Sequence, residues 1–388
     1  MGNSPTLARI SGMGAVTGYG WGRRALWDGL VSGKPSASMR DGFGPDATEP
    51  GWVSMVPEGG DPGDGPTRYM RALRFAAREA IDDALERGWT PGRRVGVVHA
   101  AVMGDTAMHP MLAAPAGSFS GRQYVAVTPS TAPSLLMAEY GFHGPVVSVS
   151  SMCASGVAAI ITARTWLAAD MVDDVIVVAT DLSATPEIVH MFTKLGVAIT
   201  DDEPLSACRP FQEGSRGFSF GEAAIAFTMT NRADAPGYAD VLGGSLTHDG
   251  YHPTSIDPSL TEVRRCVDEA LTMSGVDAGD IRYLNAHGPG TAQCDAAEGV
   301  LAREVVPGAS VFSVKPLVGH CQAAAGAVEV ASSLLSFENG RIPASPQVST
   351  PTVDTLLDGA TPAEPGLTLK TSLGMGGYTA AMVFGPTA

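Results

Sequence analysis

Charge is scarce in this chain of 388 residues: only 17% of the side chains are Asp, Glu, Lys or Arg, and just four of these are lysine. Acidic residues outnumber basic ones by 40 to 25, for a net charge of −15. That balance excludes a general nucleic-acid binder, which needs a basic face. Hydrophobic residues make up 44% of the chain, which excludes a disordered or fibrous protein and fits an enzyme with a large core. Cysteine is also sparse. The five present (153, 208, 266, 294 and 321) form no CxxC pair and no even framework, so a reduced, cytoplasmic protein is expected. No apolar run reaches the roughly 18–20 residues of a membrane span. No basic segment leads into an apolar one near the N-terminus, so no secretory signal is read there. Met1–Thr6 fits the short N-myristoylation pattern, which we read as a chance match.

The length exceeds a single core, so two domains or a duplicated one are expected. The organising stretch is Val146–Leu167, VVSVSSMCASGVAAIITARTWL. Its β-branched run, Val146 to Ser150, reads as a buried strand that breaks at Cys153. A helix of very small residues follows. A thiol at such a turn faces free N–H groups of the helix, which favour a thiolate. Strands are also expected at Ala8–Val16, Arg93–Ala101 and Asp174–Thr180, with a hairpin over Phe218–Thr230. Helices are expected at Trp21–Gly33, Arg68–Arg87 and Thr131–Tyr140, and Lys34–Thr67 reads as a surface excursion.

From Tyr238 onward the pattern repeats. Strand, turn and small-residue helix recur at 311–337 as they occur at 146–167, and a strand pair around a glycine turn closes each half. We read an internal duplication of an α/β unit, with domains 1–235 and 236–388. In such units the chemistry sits at strand C-termini and helix N-termini. Cys153 and His320 occupy equivalent turns, and His287 ends another strand in NAHGPGT. One thiol and two imidazoles at strand ends form a candidate nucleophilic site. Their spacing matches no closed zinc pattern, and no metal is expected.

These motifs together resemble the β-ketoacyl-acyl carrier protein synthases of the thiolase superfamily, the elongating and type II polyketide ketosynthases above all. The likeness runs from ISGMG at 10–14 to Ala380–Phe384 and includes SSMCASG, NAHGPGT, KPLVGH, AAAGAVE, CRPF, GFSFGE and SLGMGG. It implies a thiolase-like duplicated fold, two mixed β-sheets layered with helices as α-β-α-β-α. It implies that Cys153 takes an acyl group from a carrier's phosphopantetheine thioester, and that malonyl-carrier protein then binds and loses CO2. His287 and His320 would stabilise the enolate, and the N–H groups of Cys153 and Met375 would form the oxyanion hole. Lys315 would order the site through Glu298 or Glu329. Thr291, Gly376, Gly377 and Phe218 would line the pantetheine path. The expected partners are an acyl carrier protein and a second subunit, in a homodimer or a heterodimer. No enzyme-bound cofactor, nucleic acid or membrane is expected.

Departures from the family pattern bear on substrate and gating. Pro289 replaces a threonine that binds the pantetheine arm. Gln212, Ser215 and Arg216 alter the segment after CRPF. Leu373 and Met375 replace two phenylalanines of the gating loop, and Thr379 replaces its asparagine. Two alternatives follow: a thiolase-fold acyltransferase that transfers without condensing, and a partner subunit of a heterodimeric synthase. Because carriers are acidic, docking on this acidic chain needs a local basic patch. Arg68, Arg71 and Arg74, with Arg78, share much of one helix face and are the candidates.

Overall fold

Runs of Val, Ile and Ala build the strands, and the sheet they form sets every later position. In the computed structural model of the chain, residues 8–115, 117–232 and 234–387 are described. The Met1–Thr6 pattern lies outside them. The main strands are β1 (Ala8–Thr17), β2 (Val95–Ala100), β3 (Val146–Val149), β4 (Asp174–Asp181), β5 (Ala223–Thr230), β6 (Ala239–His248), β7 (Ile281–Asn285), β8 (Ser310–Phe312), β9 (Leu367–Gly374) and β10 (Tyr378–Pro386). Their order across the sheet is β3-β2-β4-β5-β1-β6-β10-β9-β7-β8. Each set of five runs third, second, fourth, fifth, first, with parallel pairing among its second, third and fourth strands and antiparallel pairing beyond. The halves are topological copies. The two expected sheets are one continuous sheet here, because β1 and β6 pair over Ala8↔Val241, Arg9↔Asp240 and Ile10↔Ala239. An Arg9–Asp240 ion pair at 2.7 Å closes that junction.

Four helices complete the layers: α1 (Arg68–Glu86), α2 (Ser155–Ala168), α3 (Thr261–Ser274) and α4 (Ala325–Asn339). Amphipathic α1 covers β1 and β5, and α3 covers β6 and β10. Between the sets lie α2 and α4, which pack on each other and reach strands of both halves. Both are buried over most of their surface, α2 with small and apolar residues and α4 with Glu329 and three serines among its apolar ones. Glycine lets them touch. A Cβ on Gly156 would fall 2.7 Å from the Ala327 amide nitrogen, and one on Gly326 would fall 2.7 Å from Val157 Cγ2.

Three expectations change. β3 is an edge strand, and Val146 and Val147 are 40% and 37% exposed, not buried. Apolar β-branched composition marks a strand but cannot tell the sheet's centre from its edge. Phe218–Thr230 is no hairpin: only β5 is a strand, and residues 218–221 instead run beside three other segments. Phe218 bridges Ala198, Phe220 bridges His320 and Gly221 bridges Ser54. The 34–67 excursion likewise turns inward, burying Val53, Ser54 and Val56 against that segment.

Because the two helices meet backbone to side chain at Gly156, Gly156→Ala should lower unfolding stability by about 1–3 kcal/mol through overpacking. A urea denaturation curve measures this, and an unchanged midpoint would mean that the helices can move apart freely.

Candidate active site

Cys153 sits on a forced turn. Met152 has φ 49, a left-handed conformation that costs a residue with a Cβ about 1–3 kcal/mol. The turn is held by Ser155, whose hydroxyl donates to the Met152 carbonyl at 2.6 Å and accepts from the Ser151 N–H at 2.8 Å. The glycine loop from β9 to β10 lies directly above. A Cβ on Gly374 would fall 2.8 Å from the Ser151 carbonyl oxygen, and the next backbone N–H, of Met375, is directed at the Cys153 sulfur.

Two histidines face this thiol. Ring nitrogens of His287 and His320 and the sulfur of Cys153 all lie within 4.8 Å of one another. The rings meet edge to face, 5.4 Å between centroids. Each ring's tautomer is set by what its far side touches. His320 Nδ1 accepts the Gln322 N–H at 3.0 Å, and His287 Nδ1 faces Lys315 Nζ at 3.1 Å. Each neutral ring therefore carries its proton on Nε2. Burial, with Lys315 as the next cause, holds both imidazoles well below the usual histidine range. Neither presents a free base to the thiol; each presents an N–H. The three atoms are spaced closely enough for a metal site, but a ring nitrogen that carries its proton has no lone pair to offer one.

Behind His287 lies a buried polar network. Lys315 Nζ donates to the His287 carbonyl and to Glu329 Oε1 as well as to the ring. Of the two carboxylates expected to order Lys315, Glu329 does so. Glu298 instead accepts the His287 and Gly288 backbone N–H groups at 2.6 and 2.7 Å, and the Thr371 hydroxyl at 2.5 Å. Burial raises its carboxyl, and Lys370 is the first of the influences that oppose this. Phe218 packs on His320 at 4.5 Å between ring centroids.

A cavity of about 400 Å³ opens onto these groups. Of the residues read as the pantetheine path, Thr291, Phe218 and Gly376 line it, together with Leu373 and Met375 of the loop, Pro289 and Arg216. Gly377 does not. It is buried and turned toward Asp249, whose carboxylate oxygen stands 2.1 Å from where a Cβ would lie, so it shapes the loop and not the path. The surroundings of the thiol act in both directions. Burial pushes Cys153 up to about 11, and the Lys315 charge and the Met375 N–H only partly offset it. Two residues escaped the sequence reading: Cys294, a second thiol on the cavity wall, and Lys370, fully buried beside Glu329. With four lysines in the chain, one inside the strand run LTLKTS signals a buried partner.

The docking arginines are already engaged. Arg68 pairs with buried Glu222 at 3.3 Å, Arg71 with Glu58 at 3.1 Å, Arg74 with Glu139 at 2.9 Å and Arg78 with Asp64 at 2.5 Å. These partners come from other segments of the chain folded onto the helix, which helical spacing could not reveal.

A cysteine at the start of a buried helix, faced by two neutral imidazole donors on a duplicated α/β sheet, defines a thiolase-fold acyl-transferring enzyme. The chain belongs to the β-ketoacyl synthase family: residues 67–235 match its N-terminal domain model and residues 238–349 its C-terminal one. It is a ketosynthase, an acyltransferase of the 3-oxoacyl-[acyl-carrier-protein] synthase type, and a condensing enzyme of polyketide or fatty acid synthesis. It is 28% identical to the tetracenomycin polyketide synthase ketoacyl synthase alpha subunit of Streptomyces glaucescens, over 96% of each chain. It is 25% identical to the chloroplastic 3-oxoacyl-[acyl-carrier-protein] synthase I of Hordeum vulgare, over 97% of this chain and 88% of that one. Among solved structures, a type II polyketide synthase complex of acyl carrier protein and ketosynthase matches with TM-score 0.86 at 22% identity, covering 99% of this chain and 100% of that one. A ketosynthase in complex with its chain length factor from Xenorhabdus doucetiae matches with TM-score 0.83 at 22% identity, covering 100% of both chains.

Two outcomes follow from these charges. Thiolate forms as pH rises toward about 11, so iodoacetamide labelling of Cys153 should keep accelerating from pH 7 to pH 10. A plateau near pH 8 in labelling followed by mass spectrometry would mean that the helix and donors prevail over burial. Arg68→Glu leaves buried Glu222 facing a second anion, so the variant should lose thermal stability. Its turnover with carrier-bound and small pantetheine thioesters should fall alike. A loss confined to carrier substrates would make Arg68 a docking residue.

Proposed function

We propose that the chain catalyses decarboxylative Claisen condensation between an acyl group on Cys153 and malonyl-carrier protein. The convergence of one thiol and two imidazole N–H donors on a single cavity carries this reading. The Cys153 sulfur attacks the carrier thioester, its proton passes to the departing sulfur, and the carrier's phosphopantetheine leaves as the thiol. Malonyl-carrier protein then binds along the wall that includes Thr291, Phe218 and Gly376. As CO2 departs, the electron pair of the breaking C–C bond enters the thioester enolate, whose oxygen takes the N–H groups of His287 and His320. The enolate carbon attacks the acyl carbonyl, a C–C bond forms, the bond to Cys153 sulfur breaks, and that sulfur takes a proton from water to restore the thiol. The N–H of Met375, directed at the sulfur, and that of Cys153 receive the tetrahedral oxyanion. Phosphopantetheine belongs to the carrier substrate, and the protein itself needs no cofactor.

The domains of this reading are 1–235, which supplies the nucleophile, and 236–388, which supplies both histidines. A second ketosynthase-like subunit, identical or not, covers the exposed edge of β3. An apolar sheet edge calls for a partner, and the neighbouring segment exposes Tyr124, Val125 and Leu135. The relatives' acyl carrier protein and chain length factor complexes support the same two classes of partner. Five free thiols, and no helix among the described residues long and apolar enough to cross a membrane, suit a reduced cytoplasm.

Cys153→Ala should abolish acylation and condensation while leaving the fold intact. His287→Ala and His320→Ala should each slow condensation by about 10²–10³, the usual cost of a lost oxyanion donor, with Cys153 still acylated. Intact-mass analysis with acyl-carrier thioesters, combined with CO2 release from malonyl-carrier protein, measures both steps. Acyl-Cys153 without CO2 release in the unaltered protein would favour transfer without condensation, the alternative that Pro289 on the cavity wall supports.

A further inference from the structure

Lys370 stands on β9, is 0% exposed, and takes no part in the chemistry described above. Its Nζ lies 2.6 Å from Glu329 Oε2 and donates to two carbonyls, Asn285 at 3.1 Å and Thr371 at 2.5 Å. The contact with Oε2 is close but poorly aligned, so the carboxylate gains the charge of Lys370 more than a well-formed hydrogen bond. The other carboxylate oxygen belongs to Lys315, whose remaining donors go to His287. Asn285 ends β7, two residues before His287, and its amide donates to the Glu329 carbonyl at 2.7 Å. Glu329 is thus shared by two ammonium groups, one of which reaches the catalytic ring.

We propose that Lys370 is a positioning residue for the condensation, holding the second oxygen of Glu329 so that Lys315 keeps its third donor on His287 Nδ1. This rests on the ketosynthase reading. An ammonium has three N–H groups. With Lys370 in place, Lys315 spends one on Glu329, one on the His287 carbonyl and one on the ring. Remove Lys370, and both carboxylate oxygens compete for Lys315, which swings off the ring. The imidazole then loses the contact that keeps its proton on Nε2, toward the cavity.

Charge acts in the same direction. The groups facing His287 are Lys315 from its turn, His320 across the cavity, Lys370 from β9, Glu298 beneath its backbone, Glu329 through Lys315, and the Cys153 thiol. Lys315 and Lys370 together outweigh Glu329 by one positive charge, which disfavours the imidazolium. Removing Lys370 cancels that excess. His287 then protonates at higher pH, and the neutral donor is lost as pH falls through that raised value.

Lys370→Met keeps the buried stem and removes the ammonium. Its decarboxylation of malonyl-pantetheine thioester should show an acid limb about one pH unit above that of the unaltered protein, which is about a tenfold loss on the acid side. Cys153 acylation, read by intact mass at pH 8, should stay within about threefold, because that step does not use the His287 tautomer. In protein labelled with 15N-histidine, the His287 signal, assigned by its absence in His287→Ala, should leave the single Nε2–H tautomer. An unmoved acid limb with an unchanged tautomer overturns the proposal, as does an equal fall in acylation and decarboxylation at every pH. Should Lys370→Met not fold, the double variant E329Q/K370M carries the test. It removes one charge of each sign, so the net charge facing His287 is unchanged. An acid limb like that of the unaltered protein supports the charge relation, and a raised limb overturns it. If the unaltered protein releases no CO2, the ketosynthase reading fails, and the tautomer measurement alone decides the role of Lys370.

Discussion

Backbone contact between two buried helices is the constraint from which the site follows. Gly156 meets Ala327 and Gly326 meets Val157, so α2 and α4 approach more closely than side chains would allow. Each helix starts at an equivalent turn of its half, one carrying Cys153 and the other following His320. Pressing the helices together brings those turns to opposite sides of one cavity. The β9–β10 loop then closes over the cysteine, because Gly374 is the residue that lets a backbone lie on the Ser151 carbonyl. A duplicated fold makes this arrangement economical: the same strand order, repeated about the β1–β6 junction, aims two strand–turn–helix units at each other.

The polar groups behind the cavity solve a different problem. Two lysines and two glutamates, none more than 1% exposed, lie within the hydrophobic core, where an unpaired charge is costly. They are tolerable because Lys315 and Lys370 share Glu329, and Glu298 is saturated by backbone N–H groups and a hydroxyl. Such a network adds little net stability against apolar packing of the same volume, while losing one member typically costs about 3–5 kcal/mol. Its return is orientation. The strand end that carries His287 is tied to α4, to β9 and to the helix Ala292–Val300, so the ring has one position and one tautomer.

Much of this was legible beforehand, and what was not shares a cause. Cys153 and His287 each follow a strand end, and Lys315 and His320 bracket the short helix Lys315–Val318 after β8, all of them beside glycine or small residues, a local signature that survives without coordinates. Thr131–Tyr140 was legible to the residue, since its length and turn residues are local as well. What stayed hidden was whatever depends on the far side of a residue. The run VVSV is apolar whether it lies at the centre or the edge of a sheet, and only pairing makes it an edge. The arginines of α1 form a basic face on a helical wheel, yet Glu58 and Asp64 from the 34–67 excursion, Glu139 and Glu222 fold onto it as partners. Gly377 matches a motif, but its neighbour is Asp249, not the cavity. The helix start at Cys153 suggested a thiolate, and burial, which no local pattern reports, opposes it.

The neutrality of the two histidines matters to the direction of the chemistry under the condensing reading. A malonyl group arrives with a carboxylate that must leave as CO2, and its negative charge moves onto the thioester oxygen as it goes. A cation facing the carboxylate would stabilise the ground state and raise the barrier, because only interactions stronger in the transition state accelerate the step. Among the described residues lining the cavity, Arg216 is the one Arg, Lys, Asp or Glu, and it is already paired with Asp201 and Asp202 at 3.2 Å each. The walls are otherwise apolar or uncharged, with Phe192, Phe218, Ile256, Leu373 and Met375 prominent among them. Lys315 and Lys370 stand behind His287 and not on the cavity wall, so they add to the burial that disfavours the imidazolium without facing the carboxylate. The donors therefore meet charge at the oxygen where it develops, and leave the departing carboxylate unheld.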